Sequence, residues 1–173
     1  MNKLKKQFGR IYDKYIEKIY RFIFLKIGSQ EIAQDLTSDT FLKGWKAFQK
    51  AQDPKNNYQI ENTQAFLYQI ARNSIADHYR RKGKIKIVST EDRVIIDSSV
   101  DLEKKAILSS DMNTIRLALN NLNEDYQNVI IWRYLDGFST TEVAQMMNKS
   151  EDATRVLLHR ALKSLKDQVN RSA

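Results

Sequence analysis

The 173-residue sequence predicts an all-α protein: two small helical domains joined by a linker, the C-terminal one a four-helix helix-turn-helix domain. Three observations predict it. Apolar residues recur at three- and four-residue spacing in both halves, which is the period of a helix with one buried face. That pattern disappears between Lys82 and about Asp111, where Gly83, an Ile-Lys-Ile-Val patch and an acidic run from Asp97 to Glu103 follow one another. Cap and turn residues then punctuate the last third of the chain at helix-turn-helix spacing.

The first helix is carried by Phe8, Ile11, Tyr12, Tyr15, Ile19, Phe22 and Ile23. It is either continuous or interrupted once. Gly28-Ser29 separates it from a second run, Ile32, Leu36, Thr40, Phe41, Trp45 and Phe48, and the Asp53-Pro54 turn ends that one, because proline disfavours a helix before it. The third run is Phe66, Leu67, Ile70, Ala71, Ser74 and Ile75. These make residues 1–82 one domain. Residues 83–110 read as a linker packing locally through Ile87 and Ile95, since an isolated strand at Val94 to Ile96 has nothing evident to pair with.

Residues 111–173 form the second domain, whose first helix, Ile107 to Leu119, presents Ile107, Leu108, Met112, Ile115 and Leu119 on one face. A helix from Glu124 to Leu135 stops at Asp136-Gly137, glycine tolerating the left-handed conformation of a helix end. Ser139 with Glu142 is a capping box opening a short helix to Met147. Asn148-Lys149-Ser150 makes a three-residue turn, and Ser150, followed by Glu151 and Asp152, caps a longer helix. On that helix Thr154, Leu158, Ala161, Leu162, Leu165 and Val169 form the expected buried face. Asp152, Ala153, Val156, His159, Arg160 and Lys163 point outward, with Arg155 at their flank.

Composition narrows the function. Twenty-nine Lys and Arg against 21 Asp and Glu give a net charge of +8, which favours a polyanionic partner without naming it. The absence of cysteine removes thiol chemistry, disulfides and thiolate metal sites, and His78 and His159 alone build no zinc centre. No Gly-rich phosphate loop, carboxylate cluster or paired nucleophile and base is present, so the chain reads as no enzyme and needs no cofactor. The longest apolar stretches fall far short of the roughly eighteen residues that span a bilayer, and the Lys-rich start lacks a signal peptide's apolar run. A cytoplasmic protein without stable membrane insertion, monomeric when free, is expected.

A short helix, a tight turn and a longer helix is the arrangement in which the second helix enters the DNA major groove; an ordinary helical hairpin shares it. Arg155 and Arg160 are the candidates for base edges or phosphates, and Lys163 and Lys166 for phosphates. Val156 and Ala153 meet thymine methyls or are tolerated surface residues. Asp152 accepts from a cytosine amine or only helps the cap.

Leu122 to Ser139, Glu142-Val143-Ala144, Ser150 and Leu158-His159-Arg160-Ala161 resemble conserved region four of bacterial RNA polymerase sigma factors of the two-domain extracytoplasmic-function (ECF) class, the region that reads the minus thirty-five element. Asp35 to Trp45, Phe66 to Asn73 and Asp77 to Arg81 resemble region two. The resemblance implies that Asp35, Ser38, Asp39 and Lys43 face the core polymerase, Asp35, Ser38 and Asp39 lying on the side of their helix opposite the aromatics. It implies that Tyr58, Asn62, Tyr68, Arg72 and Asn73 lie near the melted minus ten strand, Tyr58 as a stacking or a packing group. His78, Arg80, Arg81, Lys82 and Lys84 would hold duplex phosphates. Thr140, Lys149, Asp152, Ala153, Arg155, Val156, His159, Arg160 and Lys163 would meet the minus thirty-five element. The implied partners are core RNA polymerase, promoter DNA and, as for many relatives, an anti-sigma protein.

The sequence departs from the family pattern at Ser38 and Asp39, shorter than the usual glutamine and glutamate. It departs again at Leu157, often arginine, and at Glu151 and Asp152, commonly small or apolar. Two other classes share parts of the pattern: a self-contained helix-turn-helix regulator, and a polymerase-binding inhibitor or interaction module.

Overall fold

A computed structural model describes residues 2–85 and 110–172. The chain divides into two compact units, Met1–Lys104 and Lys105–Ala173. Every regular element among the described residues is a helix. The expected linker contacts of Ile87 and Ile95, the strand at Val94 to Ile96, and Ile107 and Leu108 lie outside the described residues.

In the first unit α1 (Lys3–Ile27), α2 (Gln30–Ala51) and α3 (Thr63–Ile85) pack pairwise on one another. α1 is continuous, so among the described residues this unit holds three helices. Gly28 sits at φ 77° and its N–H donates to the Phe24 carbonyl at 2.8 Å, a turn that favours glycine. Ser29 at once caps α2 by accepting from the Ile32 N–H. α3 is capped by Asn62, whose Oδ1 accepts from the Ala65 N–H at 3.0 Å, and it runs three residues beyond the expected boundary at 82.

The core is aromatic and aliphatic: Ile19, Phe22, Ile23 and Leu25 of α1, Phe41 and Phe48 of α2, and Leu67, Tyr68 and Ala71 of α3. A buried polar link crosses it, the Tyr15 hydroxyl donating to Gln64 Oε1 at 3.1 Å. α2 buries a face shifted from the expected one. Ala33, Thr37, Thr40 and Gly44 are buried, whereas Ile32, Leu36 and Trp45 are only half-buried. Small residues allow close helix approach. A Cβ at Gly44 would stand 3.0 Å from Leu67 Cδ2, and the Thr37 and Thr40 hydroxyls stay satisfied by donating to the carbonyls of Ala33 and Leu36. Trp45 then lies along the edge of the core against Phe8, ring centroids 5.2 Å apart.

The second unit contains α4 (Ser110–Asn120), α5 (Glu124–Ile130), a π-helical turn (Ile131–Leu135), α6 (Thr140–Met147) and α7 (Glu151–Ser172). The expected uninterrupted helix to Leu135 therefore changes winding at Ile131. There the Asp136 N–H reaches the Ile131 carbonyl five residues back, at 2.9 Å, and Phe138 N–H the Trp132 carbonyl, before Gly137 turns at φ 75°. Trp132, Val129, Val143 and Ala161 form the centre of this core with Leu119 and Ile131. α7 buries Thr154, Leu158 and Ala161, but Leu162 and Val169 are exposed and Leu165 is half-buried. Their expected burial is corrected: the α7 face stops being covered after about three turns.

Candidate functional site

The residues singled out from sequence lie on both units. On the first, Asp35 and Ser38 are exposed on α2, with Asp39 half-buried beside them. Asp39 is engaged within the unit. Its Oδ2 lies 2.8 Å from Lys43 Nζ and accepts from the Ser74 hydroxyl of α3 at 3.5 Å. Lys43 thereby neutralises part of the acidic face. Sequence reasoning missed Leu42, which is 52% exposed one turn beyond Ser38 and Asp39. Positions 35, 38, 39 and 42 fall on one helix face, a spacing that was legible in the sequence. Leu42 thus stands exposed among acidic and polar side chains on that face. Beside it, Ile16, Glu17, Tyr20, Gln34, Thr37 and Ser38 line a groove of about 380 Å³. Burial raises the Tyr20 phenol above its ordinary pKa.

The loop after α2 and the start of α3 hold the residues expected near a melted strand. Tyr58 is half-buried, its ring 5.5 Å from the Lys50 ammonium and its N–H donating to Asn56 Oδ1. A cation over the ring leaves a face committed to the protein. Asn62 spends its carbonyl oxygen on the α3 cap. Tyr68 is corrected: it is 1% exposed and meets Phe22 edge-on at 5.2 Å, because its position on α3 faces the buried side of α1. Arg72 is half-buried and Asn73 exposed, Asn73 Oδ1 accepting from Gln69 Nε2 at 3.0 Å.

Farther along α3, Arg80 and Arg81 are exposed and His78 and Lys82 half-buried. Arg80 pairs with Asp77 at 3.1 Å, and His78 and Arg81 line a small polar pocket with Asp39, Lys43, Ser74 and Asp77. The helix is anchored there by the Tyr79 hydroxyl, which donates to the Lys26 carbonyl at 2.7 Å. Lys84 lies within α3, but its side chain is outside the described residues.

On the second unit the helix-turn-helix geometry holds atom by atom. Ser139 Oγ accepts from the Glu142 N–H at 3.1 Å while Glu142 Oε2 accepts from the Ser139 N–H at 2.7 Å, both halves of the capping box. Asn148 turns through the left-handed region at φ 54°, and Ser150 Oγ caps α7 by accepting from the Ala153 N–H at 3.1 Å. The outward residues Asp152, Ala153, Arg155, Val156, His159, Arg160 and Lys163 are all exposed, as is Lys149 in the turn; Thr140 is half-buried. Arg155 is held by two carboxylates of its own helix: Nη1 donates to Asp152 Oδ1 at 2.8 Å and Nη2 to Glu151 Oε2 at 3.3 Å. Glu151 Oε1 in turn accepts from the Thr141 hydroxyl of α6 at 2.9 Å. Leu157 is half-buried against Asn123, Glu124, Asp125 and Tyr126, beside α5 and not on the outward face.

The described residues thus form one helical unit with acidic, polar and apolar side chains exposed on α2, and a second unit carrying a capped helix-turn-helix. Residues 11–85 match the family model for Sigma-70 region 2, and residues 112–165 that for Sigma-70, region 4. The chain belongs to the sigma-70 family, in its two-domain ECF class. It is 33% identical to the ECF RNA polymerase sigma factor BldN of Streptomyces coelicolor over 91% of this chain, but spans only 58% of that relative. Against ECF RNA polymerase sigma factor SigM of Bacillus subtilis it is 26% identical, covering 93% of this chain and 94% of the relative. Among solved structures, it shares its fold with the sigma factor RpoE of Bartonella quintana, crystallised with the anti-sigma factor NepR. The TM-score is 0.65 at 20% identity, covering 95% of this chain and 98% of that one. CnrH, solved with the cytosolic domain of CnrY, gives the same TM-score at 19% identity, over 98% and 91% of the two chains.

Proposed function

We propose that this protein binds bacterial core RNA polymerase through the α2 face, directs it to promoters carrying minus thirty-five and minus ten elements, and helps melt the DNA between them. The observation that carries this is the pairing, in one chain, of a protein-type face and a basic recognition helix on separately folded units. Asp35, Ser38 and Leu42 are the exposed contacts for polymerase. Asp39 adds to them from within its Lys43 and Ser74 contacts. A patch with apolar and acidic groups offers polymerase both burial and charge complementarity, the latter acting chiefly on association rate and orientation.

Tyr58, Arg72 and Asn73 are positioned for the exposed minus ten strand, with Asn62 shaping the loop beside them. Unstacking a base costs a few kcal/mol, which a shaped loop with aromatic and polar contacts offsets. His78, Arg80, Arg81, Lys82 and Lys84 supply the adjoining duplex with cations. Thr140, Lys149, Arg155, Arg160 and Lys163 act on the minus thirty-five duplex, Val156 and Ala153 offering apolar contacts to thymine methyls. Linking two weak readers raises the effective concentration of the second once the first is bound. The protein acts in the cytoplasm as a monomer when free, and an anti-sigma partner would cover these same faces.

Transcription with purified core polymerase on a promoter library tests the proposal. Selective initiation downstream of two spaced elements is expected. Polymerase binding without strand opening would instead identify an inhibitor, and specific duplex binding at a palindrome without polymerase a self-contained regulator.

A further inference from the structure

We infer that Glu151 and Asp152 are positioning residues that orient Arg155 to read a guanine in the upstream element, an inference that rests on the proposed sigma function. Two negative charges at the tip of a recognition helix ought to repel phosphate. Their contacts show another use. The Thr141 hydroxyl on α6 donates to Glu151, Glu151 accepts from Arg155 Nη2, and Arg155 Nη1 donates to Asp152, so one chain of hydrogen bonds ties both helices of the helix-turn-helix to a single guanidinium.

Both carboxylates lie one turn back, at i−4 and i−3, and draw the arginine over the N-terminal turn of α7, where a recognition helix meets base edges. Two of the five guanidinium N–H donors are used in this way and the other three remain for DNA. A fork with fewer accessible rotamers loses less freedom on docking and discriminates by direction, and the edge that accepts two such donors is guanine O6 and N7. The carboxylates also neutralise the cation locally. Arg155 then contributes through base geometry more than through general attraction to phosphate, a division of labour that leaves Arg160, Lys163 and Lys149 as the unspecific cations.

The test is initiation by core polymerase with the full chain on a library randomised across the upstream element. Wild type should prefer guanine at one position. Arg155→Ala should abolish that preference, and Asp152→Asn and Glu151→Gln should each weaken it at the same position, the pair together by about tenfold. In the Arg155→Ala background the carboxylate changes should have no further effect on that position. The carboxylate variants should bind scrambled duplex more tightly, with a steeper salt dependence, because two charges facing phosphate are gone. An unchanged base profile with affinity raised equally for all sequences would overturn the inference and make the carboxylates merely repulsive. Upstream-independent initiation by the wild type would overturn it too while leaving the sigma reading in place, whereas no initiation at any promoter would overturn both.

Discussion

The two helices proposed to meet partners, α2 and α7, are supported differently. α2 is packed by α1 and α3, and small residues, Ala33, Thr37, Thr40 and Gly44, let those neighbours approach closely. α7 is covered only over its first turns, through Thr154, Leu158 and Ala161, and then runs on with Leu162 and Val169 exposed. The face proposed to meet polymerase is thus set on a core-embedded helix. The turn proposed to read DNA is instead fixed at its N-terminus by caps and side-chain bonds, so its geometry is set locally.

The largest effect should come from the embedded side. Phe22→Ala removes a fully buried ring lying edge-on to Tyr68 and should cost about 3 to 5 kcal/mol. Peptide-resolved hydrogen exchange on the full chain should show lost protection in residues 3–85 and none in 140–170. Equal loss in both would break the division between units. Along α7, Leu158→Ala should cost about 2 to 3 kcal/mol in urea unfolding, whereas Leu162→Ala, two-fifths exposed, should cost under about 0.5. Similar costs would show that the second half of α7 is covered after all.

Trp45→Ala falls between these. The side chain is half-buried, so its loss should be nearer about 2 kcal/mol than the value for a fully enclosed ring, the contact with Phe8 included. At the polymerase face, Asp35→Lys with Leu42→Asp should leave the melting temperature within a few degrees of wild type and weaken capture of labelled core enzyme by roughly tenfold, about 1.4 kcal/mol. Unchanged capture would remove α2 from the interface. One change should be a gain. Asn128 is enclosed on α5 with neither side-chain polar atom hydrogen-bonded, and Asn128→Leu should stabilise the second unit by about 1 kcal/mol in the same unfolding assay.

What could be read from sequence was mostly what is local. Ser139 with Glu142, Asn148, Ser150 and Gly28 act within four residues, and each terminates or starts a helix where its chemistry required. Neighbour-dependent features were illegible. Tyr68 has the composition of a stacking group, yet which side of α3 it occupies depends on where α1 packs. The π-helical turn at Ile131 has no residue that announces it, and the burial of Ala33 and Gly44 in place of Ile32 and Trp45 follows from interhelix distance, which spacing does not encode. The Arg155 contacts stand between these cases: i−3 and i−4 carboxylates are a visible signal, but the Thr141 link from another helix is not.

Protection of promoter DNA with and without core polymerase bears most directly on the cooperation of the two units. The account predicts sequence-specific protection of an upstream duplex element and reactivity of unpaired bases downstream only when polymerase and this protein are present together. Equally specific protection of a palindromic duplex by the protein alone, or an absence of opened bases in the complete mixture, would contradict it.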